Sequence, residues 1–288
     1  MGLAAAAFVA NDCCMKLAMA DLPPFEVLML RGISATIWCL PTLFVLGFGR
    51  KIALGLNPWV LLRAVSECVA VLIFVFMLKR MPIGDLTALM QTAPLFILLA
   101  AAVVGRETIG VWRVVLIILG FAGAVLVAQP GGATASVLAP IVLVAAIFAA
   151  ARDILSRKVP ANVPALVTAF VTILVVMTAA GFSTASFEAW VVPQRQHVWL
   201  MAAAGLLLMG AHFCLMLAFR LAKASTLAPF LYAFTLWAVL AGLLIFGDRP
   251  TLTAWTGISL IVACGLVVVL LDERQRRPAV AVQLMGAD

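Results

Sequence analysis

Ten apolar runs, each long enough to cross a lipid bilayer, constrain this chain more than any other feature. A transmembrane helix needs roughly 20 apolar residues, and in lipid every backbone polar group needs a partner within its own segment. Runs of this length are therefore expected to be helices, and the predicted fold class is an all-α integral membrane protein. The runs lie at 3–20, 25–48, 59–78, 83–104, 109–128, 136–156, 163–182, 198–219, 225–246 and 253–271.

Composition agrees with lipid as the main solvent of the chain. Hydrophobic residues make up 66% of the sequence and charged residues 11%, whereas soluble domains average about a quarter charged residues. The connections between the runs are short and rich in Pro, Gly, Asp and Lys, as in "DLPPFE" and "GDRPT". We therefore expect no soluble domain between the helices.

Lys and Arg residues predict the orientation of the chain. Most of the 19 Lys and Arg residues fall in connections on the side of the N-terminus, and the tail 273–288 begins with the basic "ERQRRP" region. Because cytoplasmic loops carry the excess of Lys and Arg, both termini are expected to be cytoplasmic. The predicted location is the inner membrane of a bacterial cell, with multiple passes.

The chain repeats itself at a shift of about 141 residues. "AAAAFVANDCCMKLAMADLPP" lies over "AAIFAAARDILSRKVPANVPA", which aligns Asp12 with Asp153 and Lys16 with Arg157. The predicted repeats are 1–130 and 131–272, with five helices each. Since five is odd, the second repeat must enter the membrane from the opposite side, which is the inverted-repeat architecture of secondary transporters.

Three segments resemble a known family: "FEVLMLRGISATI", "APLFILLAAAVVGRETIG" and "LAPFLYAFTLWAVLAGLLIFGDRPTLTAWTGISLIVACGLVVV". They are similar to the two EamA-type repeats of the drug/metabolite transporter superfamily. The resemblance implies ten helices and a central cavity lined mainly by helices 3, 4, 8 and 9, with contributions from helices 1 and 6. It also implies export of small metabolites, and amino-acid exporters are among the members.

Charged residues inside the apolar runs are the first group of candidate functional residues. A charge at membrane depth costs a few kcal/mol, so it should face protein or water. One interpretation is that these residues form i,i+4 partners that fix helix ends; the other is that they are gate elements, broken and remade during transport. The candidates are Asp12, Lys16 and Arg31 near the outer mouth, and Asp153 and Arg157 near the cytoplasmic end of helix 6.

Uncharged polar and aromatic residues form the candidate substrate site. Counting residues from the helix ends brings several of them toward the middle of the membrane, beside aromatic side chains suited to an apolar or aromatic ligand. Interhelical hydrogen bonds and ordinary packing remain alternative explanations. The candidates are Gln91, Thr92, His212, Tyr232, Phe74 and Trp237.

Glu67 and two prolines complete the prediction. Glu67 lies deep in helix 3, with Arg63 one turn before it. One interpretation is that the two form a buried ion pair; the other is that Glu67 binds an amine or a proton. Pro94 and Pro229 each free a carbonyl four residues earlier, which either kinks the helix or offers a ligand to an ammonium group.

The function expected from these patterns is export of small amphipathic metabolites, most directly aromatic or neutral amino acids, by alternating access. Transport is expected to be facilitative or secondary-active, because the sequence contains no P-loop for ATP. The alternatives are an exporter of drugs or quaternary amines and, less favoured, a membrane-embedded enzyme. We expect no enzymatic activity, no cofactor, no metal and no nucleic acid; the expected partners are a small-molecule substrate and the bilayer, and a monomer is compatible with the pattern.

Overall fold

A computed structural model describes residues 2–103, 111–128, 135–221 and 233–264, together with residues 266, 267 and 270. All regular structure within these residues is helical. Between α2 and α3 lies a 3-10 segment, Gly49–Leu56, and α10 continues as a π-helix over Gly242–Phe246. The α-helices are α1 (Gly2–Ala18), α2 (Pro24–Val45), α3 (Pro58–Leu78), α4 (Ile83–Met90), α5 (Ala93–Val103), α6 (Val111–Ala128), α7 (Ala135–Ser156), α8 (Ala165–Phe187), α9 (Arg195–Leu221), α10 (Ala233–Ala241) and α11 (Leu252–Cys264).

Proline and asparagine fix where several helices begin. Pro24 and Pro58 occupy the first turns of α2 and α3, where the missing N–H has no intrahelical partner to lose. Asn57 caps α3, because its side-chain oxygen accepts a hydrogen bond from the Trp59 N–H at 3.0 Å. Pro82 and Pro164 precede α4 and α8 in extended or turn conformations. The proline-rich connections in the sequence therefore predicted these helix starts well.

The fourth predicted span is two helices in the structure. α4 ends at Met90 and α5 begins at Ala93. Pro94 stands in the first turn of α5, where a proline cannot donate the hydrogen bond that would continue α4. Thr92 is fully buried at the break, and its hydroxyl donates to the Leu89 carbonyl at 2.7 Å. The sequence predicted the proline's effect on the helix but not the complete break.

Helix length and surface composition fit a protein that crosses a membrane several times. Within the described residues, five helices are long and apolar enough to span a bilayer, and three further apolar helices are shorter. Large hydrophobic side chains are exposed around the bundle; Leu244 is 81% exposed and Phe182 is 72% exposed. Such a surface is stable in lipid and unfavourable in water. The spanning helices are Pro24–Val45, Pro58–Leu78, Leu138–Ser156, Ala165–Phe187 and Arg195–Leu215.

Helices of the first half of the chain pack on helices of the second half in a recurring pattern, in which helices are called equivalent where the predicted repeat aligns them. α1 packs on α9, and the equivalent helices of the other half, α7 and α3, also pack together. α2 packs on α9 just as α8 packs on α3, and α2 and α8 pack on each other. The α1–α10 contact likewise has its counterpart in the contacts of α7 with α4 and α5. The helices of the two halves therefore interleave in the described core.

The equivalent turns of the two halves lie at opposite ends of α3. Lys79, just after α3, donates from Nζ to the Leu22 carbonyl in the α1–α2 turn at 3.2 Å. Lys158, in the α7–α8 turn, lies over the Trp59 ring at the start of α3, with Nζ 4.6 Å from the ring centroid. We call the end with the α1–α2 turn the outer end and the end with the α7–α8 turn the inner end, following the charge distribution of the sequence.

Candidate functional site

An aromatic contact joins α1 to α9 near the centre of the bundle. The rings of Phe8 and His212 meet edge to face, with centroids 5.1 Å apart. Phe8 also lies 5.5 Å from the Phe234 ring of α10. His212 Nδ1 donates to the Leu208 carbonyl at 2.8 Å, which leaves Nε2 of the neutral ring as an acceptor. The α1–α9 seam can therefore contact a flat ring and accept a hydrogen bond from it.

An ion pair occupies the equivalent seam between α7 and α3. Arg152 Nη1 donates to Glu67 Oε2 at 2.7 Å, and Arg152 Nε donates to Asp153 Oδ1 at 2.9 Å. Arg63, one turn from Glu67, donates instead to the hydroxyls of Ser156 and Thr172, each at 2.9 Å. The two seams are equivalent in architecture, but one is aromatic and the other ionic.

Asp12 and Arg31 connect these two seams. Arg31 interacts electrostatically with Asp12 and with Glu67. His212 in turn interacts electrostatically with Arg31 and Glu67. Asn11 is 1% exposed and donates to Asp12 Oδ1 at 2.9 Å. We refer to these residues as the central cluster: Phe8, Asn11, Asp12, Arg31, Glu67, Arg152 and His212.

Two polar atoms of the central cluster are buried without a hydrogen-bond partner, Asn11 Oδ1 and Arg31 Nε. Buried polar atoms are bonded in the large majority of cases, so each exception calls for an explanation. One atom is an acceptor and the other a donor. Both atoms are therefore candidate contacts for a ligand.

A second polar group, the outer cluster, lies between α1, α4 and the end of α10. Its members are Lys16, Asp85 and Asp248. Lys16 Nζ donates to the Met81 carbonyl at 2.8 Å and lies 4.0 Å from Asp248 Oδ2. Asp85 interacts electrostatically with both Lys16 and Asp248. α1 thus contributes Lys16 to the outer cluster and Phe8 to the central cluster.

At the outer end, two glutamates each accept hydrogen bonds from backbone N–H groups near the other glutamate. Glu188 accepts hydrogen bonds from the backbone N–H groups of Phe25 and Glu26, each at 3.1 Å, and so caps the N-terminus of α2. Glu26, fully buried, accepts in return from the Val191 N–H at 3.0 Å. These bonds attach the α8–α9 connection to the start of α2.

His197 and Asp21 add a further contact at this end. The Gln194 N–H donates to His197 Nδ1 at 3.1 Å, so the ring carries its proton on Nε2 and donates to Asp21 Oδ2 at 3.0 Å. Together with the bond from Lys79 to Leu22, these contacts hold the α1–α2 turn, α3 and the α8–α9 connection together.

The structure changes the partners that sequence spacing predicted for the charged residues. Lys16 turns to Met81 and Asp248 rather than to Asp12, four residues earlier. Asp153 pairs with its neighbour Arg152, while Arg157 is exposed at the end of α7. Both i,i+4 pairings were therefore wrong. Asp153 bonds the adjacent residue of its own helix, whereas Lys16 bonds elsewhere because the segments packed beside α1 offer closer partners. For the same reason Glu67 pairs with Arg152 rather than with Arg63.

The predicted binding residues are distributed unevenly. His212 and Glu67 belong to the central cluster, whereas Gln91 and Thr92 lie at the break between α4 and α5. Phe74 is half-buried and packs against the main hydrophobic core, and Trp237 is 41% exposed on α10. Pro94 lies within α5. Tyr232 and Pro229 lie outside the described residues.

Sequence reasoning missed the roles of Phe8, Phe234, Arg152, Asp85 and Asp248. Arg152 falls inside the apolar run 136–156 and so qualified as a charge within the membrane, but it was not selected as a candidate. Asp85 was interpreted as part of the "MPIGD" turn and therefore not as a charge inside a helix. Phe8 and Phe234 could not be distinguished from the many other aromatic residues. Within the described residues, no group of three or more His, Cys, Asp or Glu side chains could hold a metal ion.

Three relatives are similar to this chain over most of their length. The riboflavin transporter of Vibrio cholerae serotype O1 is 29% identical over 258 residues, covering 89% of this chain and 86% of the relative. The S-adenosylmethionine uptake transporter of Rickettsia bellii is 25% identical, with 92% and 90% covered. The pseudopaline exporter CntI of Pseudomonas aeruginosa is 25% identical, with 91% and 92% covered.

Comparison with solved structures supports the fold. One crystal structure superimposes with a TM-score of 0.66 at 18% identity, covering 95% of this chain and 96% of the other. The EamA-like transporter family matches residues 1–129 and 138–271, which is nearly the whole chain. This chain therefore belongs to the EamA-like transporter family of the drug/metabolite transporter superfamily and is a multi-pass protein of the bacterial inner membrane.

Proposed function

We propose that this chain is a secondary transporter that exports a small metabolite with a planar ring by alternating access. The proposal includes ten membrane-spanning helices as two inverted repeats, 1–130 and 131–272, with both termini in the cytoplasm. The observation that carries it is the central cluster, which lies where the equivalent seams α1–α9 and α3–α7 approach each other. Inverted-repeat transporters bind their substrates at such a meeting of the two repeats.

The charges around the centre favour a neutral or zwitterionic substrate. Three carboxylates (Asp12, Glu67 and Asp153) are balanced by three guanidinium groups (Arg31, Arg63 and Arg152). A ligand with net charge would upset this balance in a medium of low dielectric constant. A zwitterion can bind because its ammonium and carboxylate groups can each pair with an oppositely charged side chain, which leaves the net charge of the site unchanged.

The aromatic residues favour a ring. Phe8, His212 and Phe234 offer edges and faces to a planar group, and His212 Nε2 and Asn11 Oδ1 are available acceptors. Aromatic amino acids, predicted from the sequence, meet both requirements, and so does riboflavin, the substrate in the name of one relative. S-adenosylmethionine, the substrate in the name of another, has the planar ring but carries a net positive charge. The relatives include both an uptake transporter and an exporter; export is the direction that we propose.

A transporter of quaternary amines is the less favoured alternative. Such a ligand needs a carboxylate that is not already neutralised, in an aromatic surrounding. Glu67, the deep carboxylate proposed for that role, is bonded to Arg152 at 2.7 Å. We also propose that the chain is not an enzyme, in keeping with its membership of a transporter family.

Counterflow into proteoliposomes tests the proposal. The purified chain is reconstituted in vesicles loaded with unlabelled tryptophan, riboflavin, S-adenosylmethionine or ethidium, and uptake of the same labelled compound is followed. We expect saturable counterflow for tryptophan or riboflavin and none for ethidium; counterflow of S-adenosylmethionine alone would contradict the charge argument. Absence of counterflow for all of them would overturn the proposal, and counterflow of ethidium alone would favour the alternative.

A further inference from the structure

Two carboxylates, Asp85 buried and Asp248 half-buried, lie near one ammonium group in the outer cluster. Asp85 is 7% exposed, and its Oδ1 atom is buried without a hydrogen-bond partner. Asp248 Oδ2 is also buried without a hydrogen-bond partner, and the nearest cation is Lys16, with Nζ 4.0 Å away. Within the described part of the chain, Lys16 and Asp248 are the charged groups that act on Asp85.

The backbone is shaped to place Asp248 in this position. The π-helix Gly242–Phe246 ends at Gly247, which has the left-handed φ of 66°, and the Asp248 N–H donates to the Gly242 carbonyl at 2.9 Å. The Asp248 carboxylate then lies over Gly242: a Cβ on that glycine would be 3.2 Å from Asp248 Oδ2. π-helical turns often occur at functional sites. This turn places one carboxylate oxygen, Asp248 Oδ2, in the interior, although the side chain as a whole is 23% exposed.

The charges of the outer cluster do not balance. With both carboxylates ionised and Lys16 charged, the cluster carries a net charge of −1 in a largely buried space. Uncompensated buried charge is costly, and groups in such places neutralise themselves instead. One proton would balance the cluster, and neighbouring carboxylates commonly bind one proton between them. Asp85 is the better host, because Asp248 is the closer partner of Lys16.

We propose that Asp85, with Asp248 and Lys16, is a proton-binding site that couples transport to the proton gradient. This inference rests on the transport function proposed above. A proton from the outer solution binds to a carboxylate oxygen of Asp85, converts it to a neutral carboxylic acid, and leaves on the other side after the conformational change. The only bond made and broken is the O–H bond.

α1 connects proton binding to substrate binding. Lys16 is one helical turn from Asp12 and about two from Phe8, so a shift of α1 moves both clusters together. Lys16 also holds α1 to the start of α4 through the Met81 carbonyl, and its Nζ lies 4.8 Å from the Phe246 ring centroid of the π-helix. Loss of the charge on Asp85 changes the attraction that holds Lys16 and therefore the position that α1 prefers.

Infrared spectroscopy of the purified protein tests the site without any substrate. A protonated carboxyl group has a C=O stretch that a carboxylate lacks. We expect the wild type to show a carboxyl band that disappears on alkaline titration, and Asp85→Asn to lack it. The band should persist in the control Asp21→Asn, which removes an exposed carboxylate. A band unchanged in Asp85→Asn, or none in the wild type, would overturn the proposal.

Gly242→Ala provides a second variant that leaves all three charged residues in place. Its methyl group would meet Asp248 Oδ2 and displace the carboxylate. We expect the titration midpoint of the carboxyl band to move. An unmoved midpoint would exclude Asp248 from the site.

Transport measurements separate this proposal from the function itself. In proteoliposomes with a pH gradient, wild type should accumulate the counterflow substrate, riboflavin or tryptophan, several-fold above equilibrium. Asp85→Asn should keep counterflow but lose accumulation. Counterflow without accumulation in the wild type would overturn proton coupling alone, whereas absence of counterflow would overturn the transport function.

Discussion

Arg152 of α7 donates a 2.7 Å hydrogen bond to Glu67 of α3, two residues 85 positions apart in the chain. The bond is the ionic counterpart of the aromatic contact between Phe8 and His212 in the equivalent seam. Both side chains are largely shielded, with exposures of 28% for Arg152 and 18% for Glu67. A pair of this kind depends on both members, because loss of one leaves the other charged and buried.

Replacement of Glu67 is therefore expected to destabilise the protein. Glu67→Gln should cost about 3 kcal/mol, the order found when a buried ion pair loses one partner. Arg157→Gln is the matched control, because Arg157 is exposed just after α7 and its loss leaves no buried charge behind. Thermal unfolding in detergent would show a lower melting temperature for Glu67→Gln than for Arg157→Gln. Equal melting temperatures would contradict the importance of the pair.

Sequence reasoning succeeded where the pattern was local or periodic. Apolar runs and proline turns predicted an all-helical membrane protein and the starts of α2, α3, α4 and α8, while the two five-helix repeats at a shift of about 141 stay a prediction. It failed for partners: Glu67 was matched with Arg63 on its own helix, although Arg152 reaches it from α7. Spacing along a helix predicts only which residues of that same helix are neighbours. The charge that lies nearest to Glu67 is decided by the packing of α3 on α7, which the spacing does not contain. The same limit concealed Asp85 and Asp248.

Glu188 is expected to keep the outer end closed. Its carboxylate accepts two backbone N–H groups at the start of α2, and Glu188→Ala would remove both bonds. A cysteine placed at Leu22, which is fully buried, reports on opening of this end. In a background without native cysteines, an impermeant maleimide should label Leu22→Cys several-fold faster when Glu188→Ala is present. Arg195→Gln, at an exposed position, serves as the control, and equal labelling rates would show that the two glutamates do not close this end.

Labelling of single cysteines tests the inverted arrangement of the repeats. The α1–α2 and α7–α8 turns are equivalent in sequence and lie at opposite ends of α3. Ala20 and Ala161, both exposed, can be replaced by cysteine in these turns. An impermeant reagent added to intact cells should label Ala20→Cys and not Ala161→Cys, with inside-out vesicles giving the reverse result. Labelling of both from the same side would contradict the inverted threading.

Gly205 allows α9 to approach α2 closely. A Cβ at this position would lie 2.3 Å from Ser34 Oγ and 2.7 Å from the backbone nitrogen of Ala35, so the helices would have to separate. Gly210 lies about one and a half turns farther along α9. A Cβ added there would have no neighbouring atom within 4 Å, so Gly210 is the matched control. We expect Gly205→Ala to reduce folded protein in the membrane strongly and Gly210→Ala to leave it unchanged, as measured by fluorescence-detected gel filtration. Equal yields would show that α2 and α9 can separate without cost.

Phe8 and His212 are expected to contact the substrate. Loss of the Phe8 ring removes an aromatic contact worth about 1 kcal/mol in addition to the buried area, so Phe8→Leu should raise the half-saturation concentration of counterflow about fivefold or more. His212→Gln keeps a side chain of similar polarity but removes the ring, and the same direction is expected. Phe182→Leu is the matched control, since that ring is 72% exposed on α8. The measurement is the concentration dependence of counterflow at equal protein density in the vesicles. An unchanged half-saturation concentration in both Phe8→Leu and His212→Gln would show that the substrate binds elsewhere. An equally large effect of Phe182→Leu would show that the assay reports general damage to the protein.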